Sequence, residues 1–170
     1  MWSADGLRVF FFMNGDLVGQ VADGTGMPEK IIAGLPWDVT PDGSRLIFSP
    51  PGSRDLMMVR LDGTHRVEPL IQTPANERNG VVSRAGNWLA YESDKSGRYE
   101  IYVQPFPNAN TVPLKMSDSG GTRPLWARNG QELFYVAPGG AIMSVRVGAS
   151  GSSWSAGTPV KVLEGPYETE

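Results

Sequence analysis

The sequence predicts an all-β chain made of four β-propeller blades, and three observations carry that prediction. Asp-Gly and Asn-Gly pairs recur, one residue pattern returns four times at intervals of 37, 43 and 44 residues, and no stretch sustains the three-and-four spacing of an amphipathic helix.

The turn pairs are Asp5-Gly6, Asn14-Gly15, Asp23-Gly24, Asp42-Gly43, Asp62-Gly63 and Asn129-Gly130. Their backbones tolerate the positive φ that tight hairpins demand. With 21 glycines and 14 prolines spread through 170 residues as punctuation, the chain reads as many short strands joined by turns.

The repeat is anchored on Gly6, Gly43, Gly86 and Gly130. Three residues beyond each anchor stands Val9, Leu46, Leu89 or Leu133, and five beyond stands Phe11, Phe48, Tyr91 or Tyr135. Side chains alternate along a strand, so these two positions share one face. Four residues before each anchor lies Trp2, Val39, Val82 or Trp126. A third element recurs at Asp16–Val18, Asp55–Val59, Glu100–Val103 and Ala141–Val145, and a fourth at Lys30–Ile32, Val67–Ile71, Val112–Leu114 and Val160–Leu163. Each repeat thus offers four antiparallel strands, the content of a propeller blade. The blades are expected at about 1–34, 35–77, 78–120 and 121–165.

Composition narrows the function classes. The chain has no cysteine, which removes disulfides, thiolate metal sites and thiol catalysis. A net charge of −3 with scattered Lys and Arg argues against nucleic acid as a partner, because a phosphate backbone is met by a concentrated basic face. The apolar run Val9–Met13 is too short to cross a membrane, so no membrane insertion is expected in this segment.

The segments Trp2-Ser3-Ala4-Asp5-Gly6, Thr40-Pro41-Asp42-Gly43 and Trp126-Ala127-Arg128-Asn129-Gly130 resemble the Trp-Ser-Pro-Asp-Gly signature of TolB-like, WD-repeat-like β-propellers. The stretch from Asn87 to Ser93 and on through Gly97 to Pro107 is similar to the C-terminal propellers of bacterial receptor-type serine/threonine kinases, as are Gly121–Trp126 and Glu132–Tyr135. The chain departs from the signature where Ala85 stands for the turn aspartate and where Arg84 and Arg128 stand for proline; the first change removes a side-chain hydrogen bond and the others a φ restriction. Such propellers usually have six to eight blades, so the resemblance implies that four blades form an open fragment of a larger ring. It also implies an extracytoplasmic or periplasmic location.

Candidate chemistry is sparse. Asp118-Ser119-Gly120-Gly121 has the look of a serine-nucleophile segment, but a serine nucleophile needs a histidine beside it, and His65 is the one histidine, a blade away in sequence. Ser119 is therefore expected in a plain loop and His65 on a solvated hairpin. Asp16, Asp55 and Glu100 recur ahead of a strand, near hairpin ends, and are expected to accept backbone hydrogen bonds rather than to gather a cation. Trp2, Phe11, Phe48, Tyr91, Trp126, Phe134 and Tyr135 are expected to pack between blades, whereas Trp37, Trp88 and Trp154, outside the strict repeat positions, are the expected exposed contacts. No phosphate loop, dinucleotide fingerprint, zinc motif or nucleophile elbow occurs. No catalytic, cofactor-binding or metal-binding residue and no cofactor is expected.

The expected function is that of a non-enzymatic binding or sensor module. Its partners would be a protein or small ligand on one propeller face, and the remaining blades of a parent chain. The alternative is the substrate-gating propeller of a prolyl-oligopeptidase-like serine peptidase, whose chemistry would lie elsewhere.

Overall fold

The computed structural model of the chain describes residues 1–108, 111–150 and 153–165. Four antiparallel meanders follow one another, and the described residues contain no helix. The first sheet comprises β1 (Arg8–Met13), β2 (Asp16–Val21) and β3 (Glu29–Ala33). The second comprises β4 (Leu35–Val39), β5 (Arg45–Ser49), β6 (Leu56–Arg60) and β7 (Val67–Ile71). The third comprises β8 (Glu77–Val82), β9 (Trp88–Ser93), β10 (Glu100–Pro105) and β11 (Leu114–Lys115). The fourth holds β12 (Thr122–Trp126), β13 (Glu132–Val136), β14 (Ile142–Ser150), β15 (Ser153–Ala156) and β16 (Val160–Leu163), with both β15 and β16 paired to the long β14.

Each sheet is a blade, and the repeat positions decide which face meets which neighbour. Leu46 and Phe48 turn back onto Phe10, Leu17 and Ile31 of the first sheet, while Ile47 between them turns forward onto Leu89 and Tyr91 of the third. Ala90 likewise turns forward onto Leu133 and Tyr135 of the fourth. Period-two alternation thus gives every central strand a backward and a forward set, and each junction has its own buried cluster. Among the described residues the first and fourth sheets share no such cluster, and the four blades form an open arc.

The hairpin that follows each innermost strand shows why the signature residues recur. The Thr40 hydroxyl accepts the Arg45 N–H at 3.0 Å and donates to Asp42, whose Oδ1 also accepts the Ser44 N–H at 3.1 Å. Ser3 and Asp5 repeat this arrangement, with Ser3 Oγ accepting the Arg8 N–H at 2.8 Å. In the third blade Ala85 has no carboxylate, but Ser83 still accepts the Trp88 N–H at 3.1 Å and donates instead to Asn87 Oδ1 at 3.0 Å. A side chain two residues further on replaces the missing cap.

Three details differ from the sequence reading. The innermost strand of the first blade is a single bridge between Trp2 and Val9, flanked by the Ser3 N–H on the Arg8 carbonyl and the Phe10 N–H on the Met1 carbonyl. The last strand of the third blade begins at Leu114 rather than Val112, which is left exposed; Pro113 has no N–H with which to extend the ladder. The β15 hairpin was not foreseen, and it inserts Trp154 between two other indoles.

Candidate functional site

The innermost strands β4, β8 and β12, together with Trp2, wall a groove of about 430 Å³ at the centre of the arc. Its lining follows the repeat. The position four before each anchor glycine contributes Trp2, Val39, Val82 and Trp126, and the position two before contributes Ala4, Pro41, Arg84 and Arg128. All four blades therefore present the same two positions to one space. Leu125 adds an exposed apolar side chain beside Trp126.

The groove wall is fixed by bonds that cross between blades. Asp38 Oδ2 accepts the Val82 N–H at 2.8 Å and its Oδ1 accepts the Val39 N–H at 2.9 Å. Burial pushes the Asp38 carboxyl up to about 6, against the pull of those two donors. Trp126 donates its indole N–H to the Val81 carbonyl at 3.1 Å, tying the fourth blade to the third. Bulges interrupt the pairing of β8 with β9 and of β12 with β13, and Asn79 and Arg123 take positive φ there. The fully buried Glu92 links the two bulges: it accepts the Arg123 N–H at 2.6 Å, Arg78 Nε at 2.7 Å and the Asn79 side-chain amide.

At the other end of β4 and β8 lies a second cleft of about 440 Å³, lined by Phe12, Leu35, Trp37, Pro50, Arg78 and Tyr99 among others. Arg78 lies 3.8 Å over the Tyr99 ring, and Trp37 donates to Ser49 Oγ at 2.8 Å. The Arg78 guanidinium and the Trp37 indole N–H are thus already engaged within the chain.

The residues singled out from the sequence are scattered. Ser119 is exposed beyond β11, while half-buried His65, with φ +50°, sits on the β6–β7 hairpin in a cleft with Arg8 and Glu29. No hydrogen bond joins Ser119 to His65 among the described residues. Among the described residues neither Asp16 nor Asp55 accepts the expected backbone hydrogen bond: Asp16 pairs with Lys30 at 2.9 Å, and Asp55 meets the Gln72 amide at 3.5 Å. Glu100 is fully buried, and burial opposes its ionisation. The donors Ser117 Oγ, Arg98 Nε and the Gly120 N–H outweigh that, holding its carboxyl below the ordinary range. These three carboxylates do not converge, and no group of three or more His, Asp or Glu among the described residues is placed to hold a metal ion.

The aromatic expectations need correction. Trp88 is buried and lies 5.4 Å from Trp154, which meets Trp126 edge-on at 6.4 Å; the unforeseen β15 hairpin assembles this trio. Trp37 is half-buried against the cluster between the second and third sheets. Trp2, expected to pack between blades, is 62% exposed because it stands on the groove mouth rather than in a blade junction.

No family model and no curated protein matches the chain. Solved structures do. TolB from Acinetobacter baumannii superposes with a TM-score of 0.69 at 20% identity, over 97% of this chain and 44% of that one. A structure assigned to TolB from Agrobacterium tumefaciens gives 0.71 at 14% identity, over 96% and 65%. A structure from a study of two prolyl endopeptidases gives 0.65 at 11% identity, over 95% and 26%. The chain spans less than two thirds of each. It is an all-β chain with the fold of TolB-like β-propellers, four blades of which it sets out as an open arc.

Proposed function

We propose that this chain is a non-enzymatic binding module and that the central groove is its recognition surface. The observation that carries this reading is that every blade turns the same two repeat positions into one space, with large side chains there that the fold does not consume. Trp2 is 62% and Leu125 63% exposed at the groove. An apolar patch framed by polar groups and held on rigid strands is the ordinary form of a contact site. The resemblance of Trp88 to Pro107 to receptor-kinase propellers supports an extracytoplasmic sensor role in a bacterial protein. The test is selection of binders from a random dodecapeptide phage library on the immobilised chain, followed by calorimetry with the selected peptides. Trp2→Ala and Leu125→Ser should each weaken them by about tenfold or more. Binders indifferent to both substitutions would refute the groove as the site.

The likeness to the prolyl endopeptidase structure motivates a second reading, a propeller that filters access to a separate hydrolase domain. A Gly-x-Ser-x-Gly elbow in the same reading frame decides for it. A kinase domain and a membrane helix in that frame decide for the sensor.

A further inference from the structure

The groove carries a charge asymmetry that the fold does not need. At the position two before each anchor, the first two blades present Ala4 and Pro41 and the last two present Arg84 and Arg128. Both arginines are exposed, and among the described residues neither guanidinium has an ion pair or hydrogen bond. Of the other arginines, Arg8, Arg45, Arg60, Arg78 and Arg98 are each held by a carboxylate. The guanidinium groups of Arg54, Arg66 and Arg146, away from the groove, have no ion pair or hydrogen bond among the described residues; the groove is distinguished by bringing two such cations together. Among the described residues Asp38 is the one carboxylate lining the groove, and each of its oxygens already accepts a backbone N–H. Two adjacent blades therefore aim free cationic forks at a space whose opposite wall carries Trp2.

Resting on the reading of the groove as the recognition surface, we infer that it takes an acidic peptide. The Asp, Glu or chain-terminal carboxylate lies against Arg84 and Arg128, and an apolar side chain lies against Trp2 and Leu125. Guanidinium matches carboxylate geometry with paired N–H donors, and it is only weakly hydrated, so it gives up solvent readily at a contact site. A nucleic acid fits less well: a phosphodiester track asks for a continuous basic surface, and this chain carries a net charge of −3 with two free cations at the groove.

The same dodecapeptide library serves as the probe, panned on the wild-type chain and on Arg84→Ala/Arg128→Ala, with twenty-residue oligo-dT as the competing anion. Both arginines are solvent-facing, and an unchanged melting temperature confirms that the variant is folded. Wild-type selection should enrich Asp and Glu, the selected peptides should bind the double variant at least tenfold more weakly, and the salt dependence of their affinity should flatten. Binders without acidic enrichment, or bound equally by the variant, overturn the charge inference; if Trp2→Ala still releases them, the groove itself survives. Oligo-dT bound by the wild type and lost in the variant replaces the peptide with a nucleic acid. A library with no binders overturns both readings.

Discussion

Asp38 of the second blade accepts the Val82 N–H of the third at 2.8 Å, a single carboxylate oxygen closing the ladder between two sheets that no strand pairing joins. The same burial that makes this bond dry makes the charge costly. With its carboxyl raised from 3.8 to about 6, the fold holds the proton more tightly than the unfolded chain does. That contribution is fully present below 3.8 and is lost as pH rises through 6. Relative to Asp38→Asn, which cannot titrate, the wild type should lose about 2 kcal/mol of unfolding free energy between pH 4.5 and 7.5. Urea melts of both proteins at the two pH values measure it, and parallel curves would count against the assignment.

Glycine at 121 answers a steric demand, not a conformational one. A Cβ there would lie 2.9 Å from both Ile101 Cγ1 and Tyr135 Cδ2 and 3.0 Å from Ser117 Cβ, at the junction of the third and fourth blades. Gly130, in contrast, has φ +70° and open space around its missing Cβ. Gly121→Ala should therefore cost about 1–3 kcal/mol through overpacking, and Gly130→Ala about 1 kcal/mol through backbone strain. Ile101→Ala, which removes the clashing Cγ1, should make the Gly121→Ala change less costly and leave the cost of Gly130→Ala unaltered; denaturant midpoints for the single and double variants check this.

Phe11 occupies the position at which Phe48, Tyr91 and Tyr135 receive the preceding blade, yet it belongs to none of the junction clusters among the described residues. Together with Val9 and Met13 it leaves an apolar backward face on the first sheet. The isolated chain should associate reversibly as concentration rises, and Phe11→Glu should move the onset about tenfold higher or more. Sedimentation velocity on both proteins reads the outcome, and a wild type that stays monomeric at 100 µM, a concentration roughly 100-fold above a micromolar Kd, would dismiss the idea.

What the sequence made legible was the repeat. Offsets of three and five from Gly43 or Gly86 identify the backward face of β5 and β9, and the intervening residue identifies the forward face. Features outside the period stayed hidden. Trp154 gave no sign of reaching Trp88, since the extra β14–β15 hairpin of the fourth sheet has no counterpart in the other three. Arg84 and Arg128 were visible as departures from proline, but only the curvature of the arc brings 44 residues of separation down to one groove. Asp38 lies outside the repeat positions and carried no sequence signal, because its partner lies in the next blade.

The three junction clusters have no member in common. Cooperativity must therefore pass from sheet to sheet in series, as in a stack whose units feel only their immediate neighbours. Within these four blades the second and third sheets are clamped from both sides and the first and fourth from one, so the arc is graded in firmness along its length. Loosening begins at the two extremities and reaches the middle pair last.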